Sequence, residues 1–178
     1  MKKYGAVLLV MMFVVILAYY NAHAVHGMSI PYEETYDHYK MKPRPGAGDM
    51  RYYITGHKPY RIWAKWPGKK GMYKGKEPHG SLLMTYVNRI ALKSIKEMNG
   101  MANNSIIIKE NYTSNRELKA ISVMYKVRGY NPGGGDWFWA SYDASFNTIE
   151  EGKVEGCLGC HSRAKRNDYI FTGKVAGR

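Results

Sequence analysis

The chain has 178 residues, 45% of them hydrophobic, and a formal net charge of +13. That length suits one domain with a sizeable core. The basic balance points to an acidic partner or an anionic surface, or serves solubility alone.

Met1-Lys2-Lys3 is a positive start, Ala6 to Tyr20 (AVLLVMMFVVILAYY) is an uncharged apolar run, and Ala22-His23-Ala24 has the small-x-small form of a cleavage site. The run is about 15 residues, short of the roughly 20 that a bilayer span needs. Residues 1–24 are therefore expected to be a cleaved secretory signal, with export to the periplasm. The competing reading is an uncleaved anchor, the chain's one membrane contact, with Tyr19 and Tyr20 at the interface. Cleavage after Ala24 leaves 154 residues and, without Lys2 and Lys3, a net charge of +11. Nucleic acid, the other usual partner of a basic chain, is not expected for an exported protein. A homodimer is compatible with the sequence.

Residues 25–59 are polar and rich in Tyr and Pro (Pro31, Pro43, Pro45), and predict an extended segment with little regular structure. Tyr60 to Pro67 (YRIWAKWP) predicts a short helix or turn against the core. Gly68 to Gly80 (GKKGMYKGKEPHG) reads as an exposed basic loop. Ser81 to Asn88 predicts a strand, and Arg89 to Met98 a helix stopped by Asn99-Gly100. Ser105 to Tyr112 is β-branched and strand-like. From Ala120 to Tyr130, Ile121, Val123, Tyr125 and Val127 alternate with Ser122, Met124, Lys126 and Arg128. Asn131 to Asp136 (NPGGGD) is a turn by composition, and Trp137 to Tyr142 completes a hairpin across it.

The chain's two cysteines stand in Cys157-Leu158-Gly159-Cys160-His161. A C-x-x-C-H run is the attachment signature of a c-type haem. Its thiols are spaced for thioether bonds to one porphyrin, and His161 follows as the axial ligand of the iron. The alternatives are a structural disulfide, a redox C-x-x-C and half of a zinc site. A zinc site wants a second ligand pair that the sequence lacks, and a redox motif belongs between a strand and a helix in a βαβ pattern. The class is α+β: an antiparallel β-sheet with one or two helices packed on it, the haem attached near the C-terminus, and residues 60–178 forming the haem domain. That order is unlike the helical electron carriers, whose motif lies near the N-terminus.

Six blocks carry a family likeness: YRIWAKWP at 60–67, KEPHG at 76–80, TYVN ending at 88, IIIKENY at 106–112, GYNPGGGDWFW at 129–139 and GCLGCHSRAKRNDYIFTG at 156–173. In this order they resemble the cytochrome P-460 and cytochrome c′-beta family of exported mono-haem proteins, over roughly Tyr60 to Thr172. The resemblance implies one covalently attached haem c on an antiparallel sheet. It makes Lys109 the candidate for the lysine cross-link to the porphyrin rim found in some members. A desolvated amine is nucleophilic enough for that. Otherwise Lys109 is a strand lysine paired with a haem propionate or Glu110.

The hydroxylamine-oxidising members carry an arginine and a distal carboxylate whose positions match Leu83 and the neighbourhood of Ile121, both apolar here. Glu110 and Glu117 would replace the carboxylate only with a shift of register, so no catalytic residue is assigned. An apolar pocket favours NO and CO, as in the cytochrome c′-beta members. For the sixth ligand the mature sequence offers His26, His38, His57, His79 and Met124, and the family leaves that site open or on water. His79 otherwise reads as a turn histidine bonded to backbone. Two functions follow. One is a five-coordinate, His161-ligated haem protein that binds NO or oxidises hydroxylamine. The alternative is a six-coordinate, low-spin electron carrier that docks an acidic redox partner through its basic surface.

Overall fold

The computed structural model describes residues 42–56 and 59–177. The signal expected over residues 1–24, and His26, His38 and His57, lie outside the described residues. No described helix is long and apolar enough to cross a membrane.

Seven strands form one antiparallel sheet: β1 (Ala64–Lys65), β2 (Tyr73–Lys74), β3 (Leu82–Val87), β4 (Ile106–Tyr112), β5 (Leu118–Lys126), β6 (Trp137–Asp143) and β7 (Thr148–Gly152). The order is β1-β3-β4-β5-β6-β7, with β2 also paired to β3. Among the described residues three α-helices join it, where one or two were expected: α1 (Ala47–Thr55), α2 (Arg89–Glu97) and α3 (Glu155–His161). The α+β class and the antiparallel sheet are as expected.

Side chains on a strand alternate between faces, and here the alternation makes two different cores. Ile106 and Ile108 of β4 pack with Ile121, Val123, Tyr125, Phe138, Ala140 and Tyr142 on one face. Ile107 packs with Met124, Trp137 and Trp139 on the other. Register fixes the rows: Ile107 pairs with Met124, and Met124 with Trp139. The next row on the same face runs Thr85, Lys109, Ser122, Ser141, Glu150.

Helix α1 closes the first face through Ala47, Met50 and Ile54, all buried. Tyr142 Oη donates to the Ala47 carbonyl (2.8 Å), and the Ala47 amide donates to Glu151. This helix lies in the 25–59 segment expected to be irregular. Its i, i+3, i+7 spacing is short and hidden by the neighbouring Pro43, Pro45, Gly46 and Gly48.

On the second face α2 buries Ala91 and Ile95. Asn88 caps it, accepting from the Ala91 amide (2.9 Å) and donating to the Asn104 carbonyl (2.8 Å). The helix stops at Met98, whose left-handed φ of 58° ends the hydrogen-bonded ladder one residue before Asn99-Gly100. The rest of this face belongs to α3 and the tail.

Candidate functional site

Cys157 and Cys160 both lie in α3. Three residues apart on a helix, they share a face. Both line a cavity of about 410 Å³ together with His161, His79, Lys109 and Trp139. The cysteines are not disulfide-bonded. Burial pushes the Cys157 thiol up, helped by the nearby Glu150. A redox or metal-binding cysteine needs the opposite shift, toward thiolate. Among the described residues, no three His, Cys, Asp or Glu side chains cluster to hold a bare metal ion.

His161 is buried at the end of α3. Its Nδ1 lies 2.6 Å from the Tyr169 carbonyl. A carbonyl only accepts, so Nδ1 carries the proton and Nε2 keeps its lone pair. Burial lowers the histidine's pKa, which favours the neutral ring that binds metals. Trp139 and Phe171 pack against the ring, with centroids 4.7 and 5.3 Å away. The orienting carbonyl is itself held. Asp168 and Tyr169 both have positive φ (52° and 65°). The Asp168 carboxylate accepts from Lys126 Nζ (2.5 Å) and the Met101 amide (2.7 Å). Orientation of an axial histidine by a backbone carbonyl is a recurrent outer-shell device.

Lys109 enters the cavity from the sheet, in the row with Ser122, Ser141 and Glu150. Burial pushes its pKa down to about 8. Its neighbour Glu110 faces the other way, fully buried, and accepts from Tyr60 Oη (2.6 Å), Tyr112 Oη (2.7 Å) and Arg61 Nε (2.8 Å). Glu110 is therefore neither the partner of Lys109 nor a group of the cavity. Ile121 lies on Glu110's face, and Ser122 takes the cavity side in its place. Leu83 pairs with Asn111 and keeps the arginine position apolar. Glu117 lies in the exposed turn between β4 and β5.

The carboxylate that does line the cavity is Glu150 of β7. Sequence reasoning missed it, because TIEEG shows no apolar alternation and its Ile149 is exposed. Trp139 adds a second signal of a missing acceptor. Its indole Nε1 is buried without a hydrogen-bond partner, which is costly unless a group from outside the chain accepts from it.

His79 is the remaining cavity histidine. Far from being exposed, the end of the basic loop turns inward, and Pro78 and His79 line the wall. His79 bonds to a side chain rather than to backbone: Nδ1 lies 3.1 Å from Asn111 Oδ1. Asn111 is itself committed, its Nδ2 donating to the Lys109 and Ala120 carbonyls (both 3.2 Å) and to Ser122 Oγ (3.0 Å). Burial, then Lys109 and His161, push His79 down to about 4. The two histidine rings stand 6.3 Å apart, centroid to centroid, at 85°.

The donor set fits a haem: two thiols on one helix face, one imidazole with a free Nε2, an unpartnered indole N–H and a largely apolar wall. No curated protein matches the chain. A family model described as Cytochrome P460 matches residues 58–172, a span that takes in the sheet, the cavity and α3.

Proposed function

The chain belongs to the cytochrome P460 family, and from that premise we propose that it is an exported haem c protein that binds small nitrogen oxides. The family implies a haem. Its thioether attachment at Cys157 and Cys160, and its axial ligation by His161, are our reading. The observation that carries this reading is the convergence of both thiols and the free Nε2 of His161 on one cavity. When bound, the haem supplies an iron that takes up NO, CO or hydroxylamine and exchanges electrons with them.

The chain's own residues divide the rest of the work. Tyr169 fixes the tautomer and direction of His161. Ile107, Met124 and Trp139 form an apolar wall that favours small neutral molecules over water. Hydroxylamine oxidation also needs a proton acceptor within reach, and the cavity offers the carboxylate of Glu150 for it. Lys109, with its ammonium weakened by burial, is the candidate for a bond to the porphyrin rim. Such a bond replaces an N–H and a C–H, so it also needs an external two-electron oxidant.

Mass and optical spectra of the denatured protein test the attachment: one haem is retained through acid extraction. NO and CO are expected to shift the spectrum of the native protein. A spectrum indifferent to both would favour the electron carrier docking an acidic partner. Hydroxylamine added to ferric protein with an electron acceptor tests turnover. An unchanged porphyrin mass and reduced spectrum in Lys109→Ala would exclude the cross-link.

A further inference from the structure

We propose that His79 is a displaceable sixth ligand: its Nε2 coordinates the haem iron opposite His161 until a small molecule takes its place. This rests on the haem reading above and adds the group that faces the incoming ligand.

The first support is the tautomer. Asn111 Nδ2 faces two backbone carbonyls, which can only accept. The amide is therefore oriented without ambiguity, and Oδ1 is what it presents to His79. Nδ1 of His79 must then donate, which leaves Nε2 unprotonated. Among the described residues Nε2 makes no hydrogen bond. His161 has reached the same state by a different route, through Tyr169. Two neutral imidazoles thus bring two free Nε2 atoms to one cavity.

Spacing is the second support. Two metal–imidazole bonds of about 2 Å each, with about 1 Å more from each nitrogen to its ring centre, come to roughly 6 Å. The observed centroid separation is 6.3 Å. Crossed rings, here at 85°, are compatible with two axial imidazoles sharing one nitrogen–iron–nitrogen line.

Unequal anchoring makes one ligand permanent and the other replaceable. His161 ends a helix, adjoins Cys160 and is fixed by a carbonyl that Asp168 and its partners hold. His79 sits on the loop between β2 and β3, held by one 3.1 Å bond to Asn111. Local opening costs least where so few contacts are lost.

The test uses ferric holoprotein at neutral pH, with electron paramagnetic resonance and optical spectra as the readout. The parent is expected to be low spin and His79→Ala high spin, and added imidazole should return the variant to low spin. Removing an internal competitor that closes nine tenths of the iron raises apparent affinity about tenfold. Ferrous His79→Ala is therefore expected to bind CO at least about tenfold more tightly. A high-spin parent that still binds NO overturns this proposal and leaves the proposed function standing. Superposable spectra of parent and variant also overturn it, as does loss of the low-spin state in Met124→Leu instead. Absence of covalent haem from the parent sinks both readings. Should the alanine variant fail to load haem, the parent's own spin state still decides.

Discussion

Lys109 and Glu110 are consecutive residues that face opposite sides of one sheet, and both have depressed pKa values for opposite reasons. Burial alone would raise Glu110, but donors from Tyr60, Tyr112 and Arg61 outweigh it and stabilise the carboxylate. At Lys109 burial wins, and the charged form is the one disfavoured. The contrast extends to the whole of each face. On the side closed by α1, Glu110 is saturated by its neighbours and Tyr142 finds the Ala47 carbonyl. On the cavity side, His161 and His79 spend one nitrogen each on orientation, and the Trp139 N–H is unpartnered. The first side is a core that satisfies itself. The second is built to be completed by something else.

Changes that break this contrast should separate binding from stability. The largest effect is expected from replacing Cys157 and Cys160 together by serine. Covalent haem should be lost entirely, read as pigment released by acidified organic solvent. Next comes Glu110→Ala, which strands the Tyr60 and Tyr112 phenols, while the half-exposed Arg61 can turn to water. Leaving a buried polar group without its partner costs about 1–3 kcal/mol. A urea midpoint should fall accordingly, while the haem spectrum of the protein that remains folded stays that of the parent.

Lys109→Met should act in the reverse direction, because no ammonium then has to be buried. A gain of roughly 1–3 kcal/mol is expected from a shift of this size, measured by the same urea titration. A loss of stability there would show that the lysine is satisfied after all.

Acid titration gives the finest resolution. A carboxylate whose folded pKa is depressed contributes fully above its unfolded value, about 4.3, and loses that contribution as pH falls through the folded value. The parent should therefore lose stability below about pH 4 more steeply than Glu110→Gln. Equal slopes for the two would remove Glu110 as the cause.

The C-x-x-C-H run was legible because it is local: two thiols and an imidazole stand within five residues, and the fold brings all three to one cavity. The central strands were legible from alternation and β-branched content. Other features depend on distance. Whether His79 faces solvent or the cavity is decided by Asn111, 32 residues away, and no local pattern encodes that contact. Strand β7 was hidden because an edge strand with exposed side chains carries no apolar signature. Glu150 was lost with it. Ile121, near which the distal carboxylate was matched, belongs to the first core, and its neighbour Ser122 lines the cavity, because one step along a strand changes the face.

All seven strands precede Cys157 in the chain. A polypeptide made from its N-terminus has therefore presented every strand of this sheet before either sulfur appears. The knot formed by Asn167, which binds the Ile170 and Gly173 carbonyls and the Val175 and Ala176 amides, comes later still. On the proposed haem reading, maturation is a fitting of pigment and tail onto a finished platform, and truncation after α3 would be felt as a fastening that never closes.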